Sequence, residues 1–193
     1  MKVIYIRPLR DRGYLSIGFS NGEEKLSFSL SEGEYRELGS LLIGDETDDI
    51  EPFIYCDKKY KARRYALRIL EYGDNSESLL KKKLIMKKIP RDIADIVVRE
   101  MVSLGFVNER RQLERMVESL ANKSLFGRRK ILARLISKGY SKSRIYEVIE
   151  HLISHGVIDF QKTREALIEK KLSHDASDEE IRELMYKYGY EYV

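Results

Sequence analysis

A chain of 193 residues with a hydrophobic share of 42% can close one core with an appendage, or two small cores. Its one cysteine, Cys56, excludes an intrachain disulfide and a four-cysteine metal cage, which suits a reducing cytoplasm; the apolar run Val3 to Ile6, cut by Arg7 and Pro8, is too brief for a signal sequence or a membrane span. The net charge of +4 hides a segregation, with 6 Lys/Arg and 11 Asp/Glu in residues 1–55, 23 and 10 in residues 56–142, and 7 and 11 in residues 143–193.

That basic middle between acidic ends suits a polyanion or an acidic protein face, because clustered cations steer encounter and release counterions from phosphates.

The first 55 residues read as β-rich. Leu15, Ile17 and Phe19 alternate with small polar residues, as do Leu26, Phe28 and Leu30, and Asn21-Gly22 lies between the two runs. A two-residue type I′ turn there sets Ile17 opposite Leu26 and Leu15 opposite Phe28. Val3 to Ile6 supplies a third strand. Ser31 opens a short helix, with Glu34 placed for a capping box and Tyr35, Leu38, Leu41 and Leu42 on one side. Gly44 to Pro52, acidic and rich in turn formers, marks the expected boundary of a small domain over residues 1–55.

From Tyr60 onward apolar residues recur at intervals of three and four, the helical period. Sliding this part against itself by 51 residues lays Leu80, Leu84, Ala94, Val97, Met101 and Gly105 onto Ile131, Leu135, Ile145, Val148, Leu152 and Gly156. Apolar falls on apolar and glycine on glycine, the mark of a structural repeat. The expected helices are Tyr60 to Tyr72, Ser76 to Lys87 and Arg91 to Leu104, then Glu109 to Asn122, Gly127 to Ser137 and Lys142 to Ser154. Phe160 to Leu172 and Asp178 to Tyr188 begin a third unit, and Gly189-Tyr190 echoes Gly139-Tyr140. The expected fold is therefore mainly α: tandem three-helix repeats in an elongated array (58–107, 108–157 and a truncated 158–193) behind a small β-rich N-terminal domain.

Three segments resemble the RecX family: Ala66 to Leu70 with Ser76 to Leu84, Met101 to Phe106, and Gly127-Arg128-Arg129-Lys130-Ile131-Leu132-Ala133-Arg134-Leu135-Ile136-Ser137-Lys138-Gly139. The last is the most specific, and the likeness runs over about residues 58–193. Where the family usually has an acidic pair followed by an aromatic and a small residue, this chain has Asn108-Glu109 and then Arg110 to Leu113; Asn108 still serves as a helix cap. The resemblance implies a regulatory protein that binds the groove of a RecA–DNA filament and inhibits its ATP hydrolysis, strand exchange and stimulated repressor cleavage. Candidate contacts are Arg63, Arg64, Lys81, Lys82, Lys87 and Lys88 in the first repeat, and Arg128, Arg129, Lys130, Arg134 and Lys138 in the second. The arginines carry more weight, since a guanidinium clamps carboxylate or phosphate with two parallel hydrogen bonds.

Catalytic patterns are not evident. Nothing matches a phosphate-binding glycine loop ending in Lys-Ser or Lys-Thr. His151 and His155 have a metal-ligand spacing without a third ligand, and the bland reading is imidazolium near a helix C-terminus. Cys56 reads as a buried apolar side chain, and Asp45 to Asp49 as a solvated linker. The reading is a cytoplasmic, monomeric, non-enzymatic regulator without cofactor, metal or membrane partner. Its partner is a RecA filament, with single- or double-stranded DNA as a further partner. The alternatives are a basic helical module acting directly on DNA and a metal-dependent nuclease.

Overall fold

In a computed structural model, which describes residues 1–191, three strands come first: β1 (Lys2–Pro8), β2 (Tyr14–Ser20) and β3 (Lys25–Ser31). Helices follow as α1 (Glu32–Glu37), α2 (Glu51–Glu71), α3 (Glu77–Met86), α4 (Arg91–Ser103), α5 (Glu109–Glu118), α6 (Arg128–Ser137), α7 (Lys142–Ser154), α8 (Phe160–Lys171) and α9 (Asp178–Tyr188). The class is the expected one, mainly helical behind a small sheet. None of the described helices is long and apolar enough to cross a membrane. The elements form two compact units, Met1–Tyr72 with Lys81–Met101, and Gly73–Leu80 with the chain from Val102 onward.

In the first unit the sheet is antiparallel in the order β1-β2-β3. Alternation puts Val3, Ile17, Phe19, Phe28 and Leu30 on one face, where Phe53 and Cys56 of α2 complete the core. On the other face the Tyr5 ring lies across Gly18, where a Cβ would come within 2.2 Å of the ring, and the Tyr5 hydroxyl donates to Ser27 Oγ at 2.7 Å. The hairpin register departs from the two-residue turn by two positions: Ile17 faces Phe28, Phe19 faces Leu26, and the last pair is Ser20 with Lys25. The cause is local. The Asn21 carboxamide oxygen accepts from the N–H groups of Glu23 (3.1 Å) and Glu24 (2.7 Å), so Asn21 to Glu24 all belong to the loop. A shift of two keeps every side chain on its face.

Ser31 and Glu34 form the expected capping box, but α1 stops at Glu37, so Leu41 still reaches the core while Leu42 stands exposed. The next helix starts at Glu51, nine residues before the expected Tyr60. Pro52 sits in its first turn, where the missing N–H costs no bond, and the extra turns bring Phe53 and Cys56 to the sheet. Asp57 then accepts the Ser29 N–H at 3.0 Å and ties α2 to the edge strand.

The repeat is carried residue by residue. Helices α3 and α6, and likewise α4 and α7, begin and end 51 positions apart. Leu84 and Leu135 are fully buried, and Val97 and Val148 are buried. In the second unit Leu113, Val117, Ile131, Leu135, Tyr140, Ile145, Ile149 and Leu152 share one core, while Leu167, Met185 and Tyr190 centre a smaller one beneath α8 and α9. The expected first helix of the second repeat, Glu109 to Asn122, is α5 continued by a π turn over Ser119–Lys123.

Within the second unit two joints between helix ends are alike. Ser76, just before α3, donates its hydroxyl to the Lys138 carbonyl at the end of α6 (2.9 Å). At the other joint, Gly127 donates its N–H to the Tyr188 carbonyl at the end of α9 (2.8 Å) and Arg129 donates its N–H to the Gly189 carbonyl (3.1 Å). Each joint gives an orphan carbonyl at one helix end a donor from another helix start, the Ser76 hydroxyl in the first joint and backbone N–H groups in the second. Gly139 and Gly189 make room: their φ angles are +86° and +81°, and a Cβ would fall 2.7 Å from Ser76 Oγ or 2.5 Å from Lys130.

Candidate partner-binding surface

The cations singled out in the sequence divide between the two units. In the first, α2 carries Arg63 and Arg64, the later part of α3 carries Lys81 and Lys82, and Lys87 and Lys88 follow the end of α3. Arg63 is half-buried, its Nε donating to Glu100 at 2.6 Å and its guanidinium lying 5.1 Å from the Tyr14 ring centre. Burial works against its charge, but the bond and charge of Glu100 outweigh it and hold the guanidinium above its ordinary range. Arg64 is exposed, 3.4 Å from the Tyr60 hydroxyl and 3.7 Å from an Asp11 carboxylate oxygen. Lys81 pairs with Asp95. Lys87 lies over the Tyr65 ring at 5.7 Å. Lys82 and Lys88 are exposed and form no ion pair among the described residues.

In the second unit the basic run opening α6 is largely engaged. Arg128 pairs with Glu150 and lies over Phe160. Arg129 donates to the Tyr186 carbonyl at 2.9 Å and stacks on the Tyr186 ring at 4.4 Å. Lys130 donates to the Lys187 carbonyl at 2.9 Å and sits 4.3 Å from the Phe126 ring centre and 4.8 Å from that of Tyr188. These contacts fasten the end of α9 to the start of α6, and they are charge-assisted and cation–π in kind. Arg134, 5.8 Å from the Phe126 ring centre, and Lys138, whose nearest partner is Met116 Sδ at 3.9 Å, remain exposed and form no ion pair among the described residues.

Two features carried little signal in the sequence. Glu109 lies behind Arg144: its Oε1 accepts the Glu77 N–H at 2.9 Å, and its carboxylate pairs with Arg144, which also reaches Glu77 at 3.3 Å. This clasp ties the starts of α3, α5 and α7 together. The other is a polar cleft between the β1–β2 loop and α2, lined by Asp11, Arg12, Tyr60, Arg64, Tyr65 and Arg68 among others. Only the four-residue spacing of Arg64 and Arg68 hints at it.

His151 and His155 stand with ring centres 4.2 Å apart, and His155 Nδ1 is 2.8 Å from the His151 carbonyl. Among the described residues no three His, Cys, Asp or Glu side chains are grouped to hold a metal. The Cys56 thiol is pushed up to about 11 by burial, with Glu34 adding to it, so the reactive thiolate is disfavoured. Asp45 accepts the Leu42 N–H (2.7 Å) and Asp49 the Glu51 N–H (3.1 Å), which makes both turn formers.

No family model matches the chain. It is 29% identical over 105 residues to the regulatory protein RecX of Clostridioides difficile (strain 630), covering 54% of this chain and 49% of that protein. It is also 26% identical over 137 residues to the regulatory protein RecX of Caldanaerobacter subterraneus subsp. tengcongensis, covering 71% and 68%. The first match thus spans about half the length of that relative. Among solved structures, a crystal structure of a regulatory protein RecX superposes with a TM-score of 0.75 at 20% identity, covering 98% of this chain and 94% of the other, a likeness in fold.

Proposed function

We infer that this chain, which belongs to the RecX family of regulatory proteins, acts on a RecA recombinase filament. In this reading it binds the RecA–DNA filament in the cytoplasm as a monomer. It inhibits ATP hydrolysis, strand exchange and stimulated repressor cleavage, and so restrains recombination, repair and the SOS response.

The sequence likeness to two regulatory RecX proteins carries the proposal. The repeat adds a physical rationale: repeated helical units carry similar surfaces, which suits a partner that is itself a repeating polymer. The action is binding without catalysis. In support, Cys56, Asp45, Asp49 and His155 are each committed to packing or to backbone contacts. Of the eleven cations, Lys82, Lys87, Lys88, Arg134 and Lys138 are the best placed to meet a partner, because Arg63, Lys81, Arg128, Arg129 and Lys130 already have firm partners within the chain and Arg64 reaches Tyr60 and Asp11.

The experiment is RecA ATP hydrolysis on single-stranded DNA with this protein added at a one-to-one ratio. Inhibition of hydrolysis, with a matching loss of strand exchange, is expected. Unchanged hydrolysis and strand exchange would overturn the reading.

A further inference from the structure

The cleft beside α2 is lined by two of the candidate filament contacts, Arg63 and Arg64, and otherwise by residues that the regulator reading does not use. It has a volume of about 710 Å³ and is walled by the β1–β2 loop on one side and α2 on the other, which is within the range of roughly 300–1,000 Å³ common for small-ligand sites. Its cations outnumber what the fold employs. Asp11 accepts from the Tyr60 hydroxyl at 2.8 Å and shares its second interaction with Arg64 at 3.7 Å. Arg12 and Arg68 are exposed and form no ion pair among the described residues.

Repeat packing does not call for Arg68. In the 51-residue register Ser119 takes its place in the second copy, whereas Arg64 has an arginine counterpart, Arg115, which pairs with Asp74; both Arg64 and Arg68 are exposed on the side of α2 that also carries the buried Tyr60 of the cleft lining. Arg64 and Arg68 are four apart on a helix, so they project side by side, about 5–6 Å apart at Cβ. That spacing lets two guanidinium groups take neighbouring oxyanions of one extended chain, each able to bind through two hydrogen bonds.

We propose that this cleft binds single-stranded nucleic acid, with Arg12, Arg64 and Arg68 holding phosphates and Tyr65 as an aromatic wall beside the bases. A concave cleft admits one strand rather than the width of a duplex. The tyrosine beside the arginines favours a nucleic acid over an acidic peptide, because bases stack on aromatic rings and carboxylate side chains do not. No recombinase is involved, so this site stands or falls separately from the regulator reading.

The test is fluorescence anisotropy of a labelled oligo-dT with the full chain alone, over a series of salt concentrations. The variant Arg12→Ala/Arg68→Ala breaks no ion pair of the fold and should melt as the wild type does. Its affinity should fall at least about fivefold, and the slope of log affinity against log salt should flatten by about 1.4, or about 0.7 for each single-strand phosphate left without its arginine. The variant Lys170→Ala/Lys171→Ala removes the same charge from α8 and should change affinity less than about twofold. Equal losses in the two variants, or an unchanged slope in the first, would overturn the site. So would displacement of the oligonucleotide by polyglutamate as readily as by unlabelled oligo-dT at equal charge, which would assign the cleft to acidic peptides.

Discussion

Tyr140 and Tyr190 hold the same place at the ends of α6 and α9, and each buries its ring and commits its hydroxyl to the first helix of its own repeat. Tyr140 donates to Gln112 Oε1 at 2.7 Å and Tyr190 to Thr163 Oγ1 at 2.9 Å; Gln112 and Thr163 are 51 positions apart. Burial, followed by the charges of Asp74 and Glu109, pushes the Tyr140 phenol from 10.0 up to about 12. The folded chain therefore keeps this proton where the unfolded chain has lost it. The contribution is whole below pH 10 and is lost as pH rises through about 12. Tyr140→Phe removes the bond and strands the buried Gln112 oxygen, so it should cost about 1–2 kcal/mol at neutral pH. In urea unfolding, the gap between wild type and variant should narrow as pH climbs from 10 towards 12. A gap that stays constant over that range would mean the phenol is not the group that titrates.

At the scale of helices, the repeat predicts where backbone strain can be relieved. Lys88 closes the turn after α3 at φ +62°, and its counterpart 51 positions on is Gly139 at +86°. The left-handed conformation costs an L-residue roughly 1–2 kcal/mol, against roughly 0.5–1 kcal/mol of extra chain entropy for glycine. Lys88→Gly should therefore stabilise the protein, by up to about 1 kcal/mol. Gly139→Ala should destabilise it by more than about 2 kcal/mol, because the added methyl meets the strained φ and also Ser76 in the joint. Thermal melts of the two variants check both signs, and opposite shifts are expected.

The helical part was legible because each element of one copy vouched for another: α4 and α7 keep the same bounds 51 positions apart, and α7 spans Lys142–Ser154 as its apolar spacing predicts. The hairpin and the start of α2 had no second copy. Asn21-Gly22 reads equally well as a tight turn or as the start of a longer loop, and an Asn side chain reaching two N–H groups decided between them. Acidic residues around Pro52 read as linker, while Phe53 and Cys56 found a core that strand alternation shows only from the sheet side. The cations were legible as a group but not by their partners. Nothing local in Arg129-Lys130 announces that carbonyls of residues 186 and 187 will meet them 57 positions away.

For the whole molecule, the segregated charge therefore has two uses that composition cannot separate. Part of the basic middle block fastens the third repeat to the second, and part faces outward. If the outward part meets the filament, the two uses respond oppositely to substitution. Arg129→Ala/Lys130→Ala removes two bonds to carbonyls and the ring stacking at the α6–α9 joint, which costs about 1–2 kcal/mol for partly exposed pairs. That corresponds to a fall of about 2–8 °C in Tm for a chain of this size. Below the new midpoint the variant should still inhibit RecA, because these two side chains are held by α9 rather than offered to a partner. Lys82→Ala/Lys88→Ala breaks no ion pair within the chain, so its Tm should stay within about 1 °C, while more protein should be needed to inhibit hydrolysis, and the deficit should grow with salt. Melting curves and RecA hydrolysis measured on both variants decide it. If the joint variant loses inhibition at full stability while the Lys82 and Lys88 variant keeps it, the partner meets the start of α6, and the contacts at Tyr186 and Lys187 are ones the filament must displace.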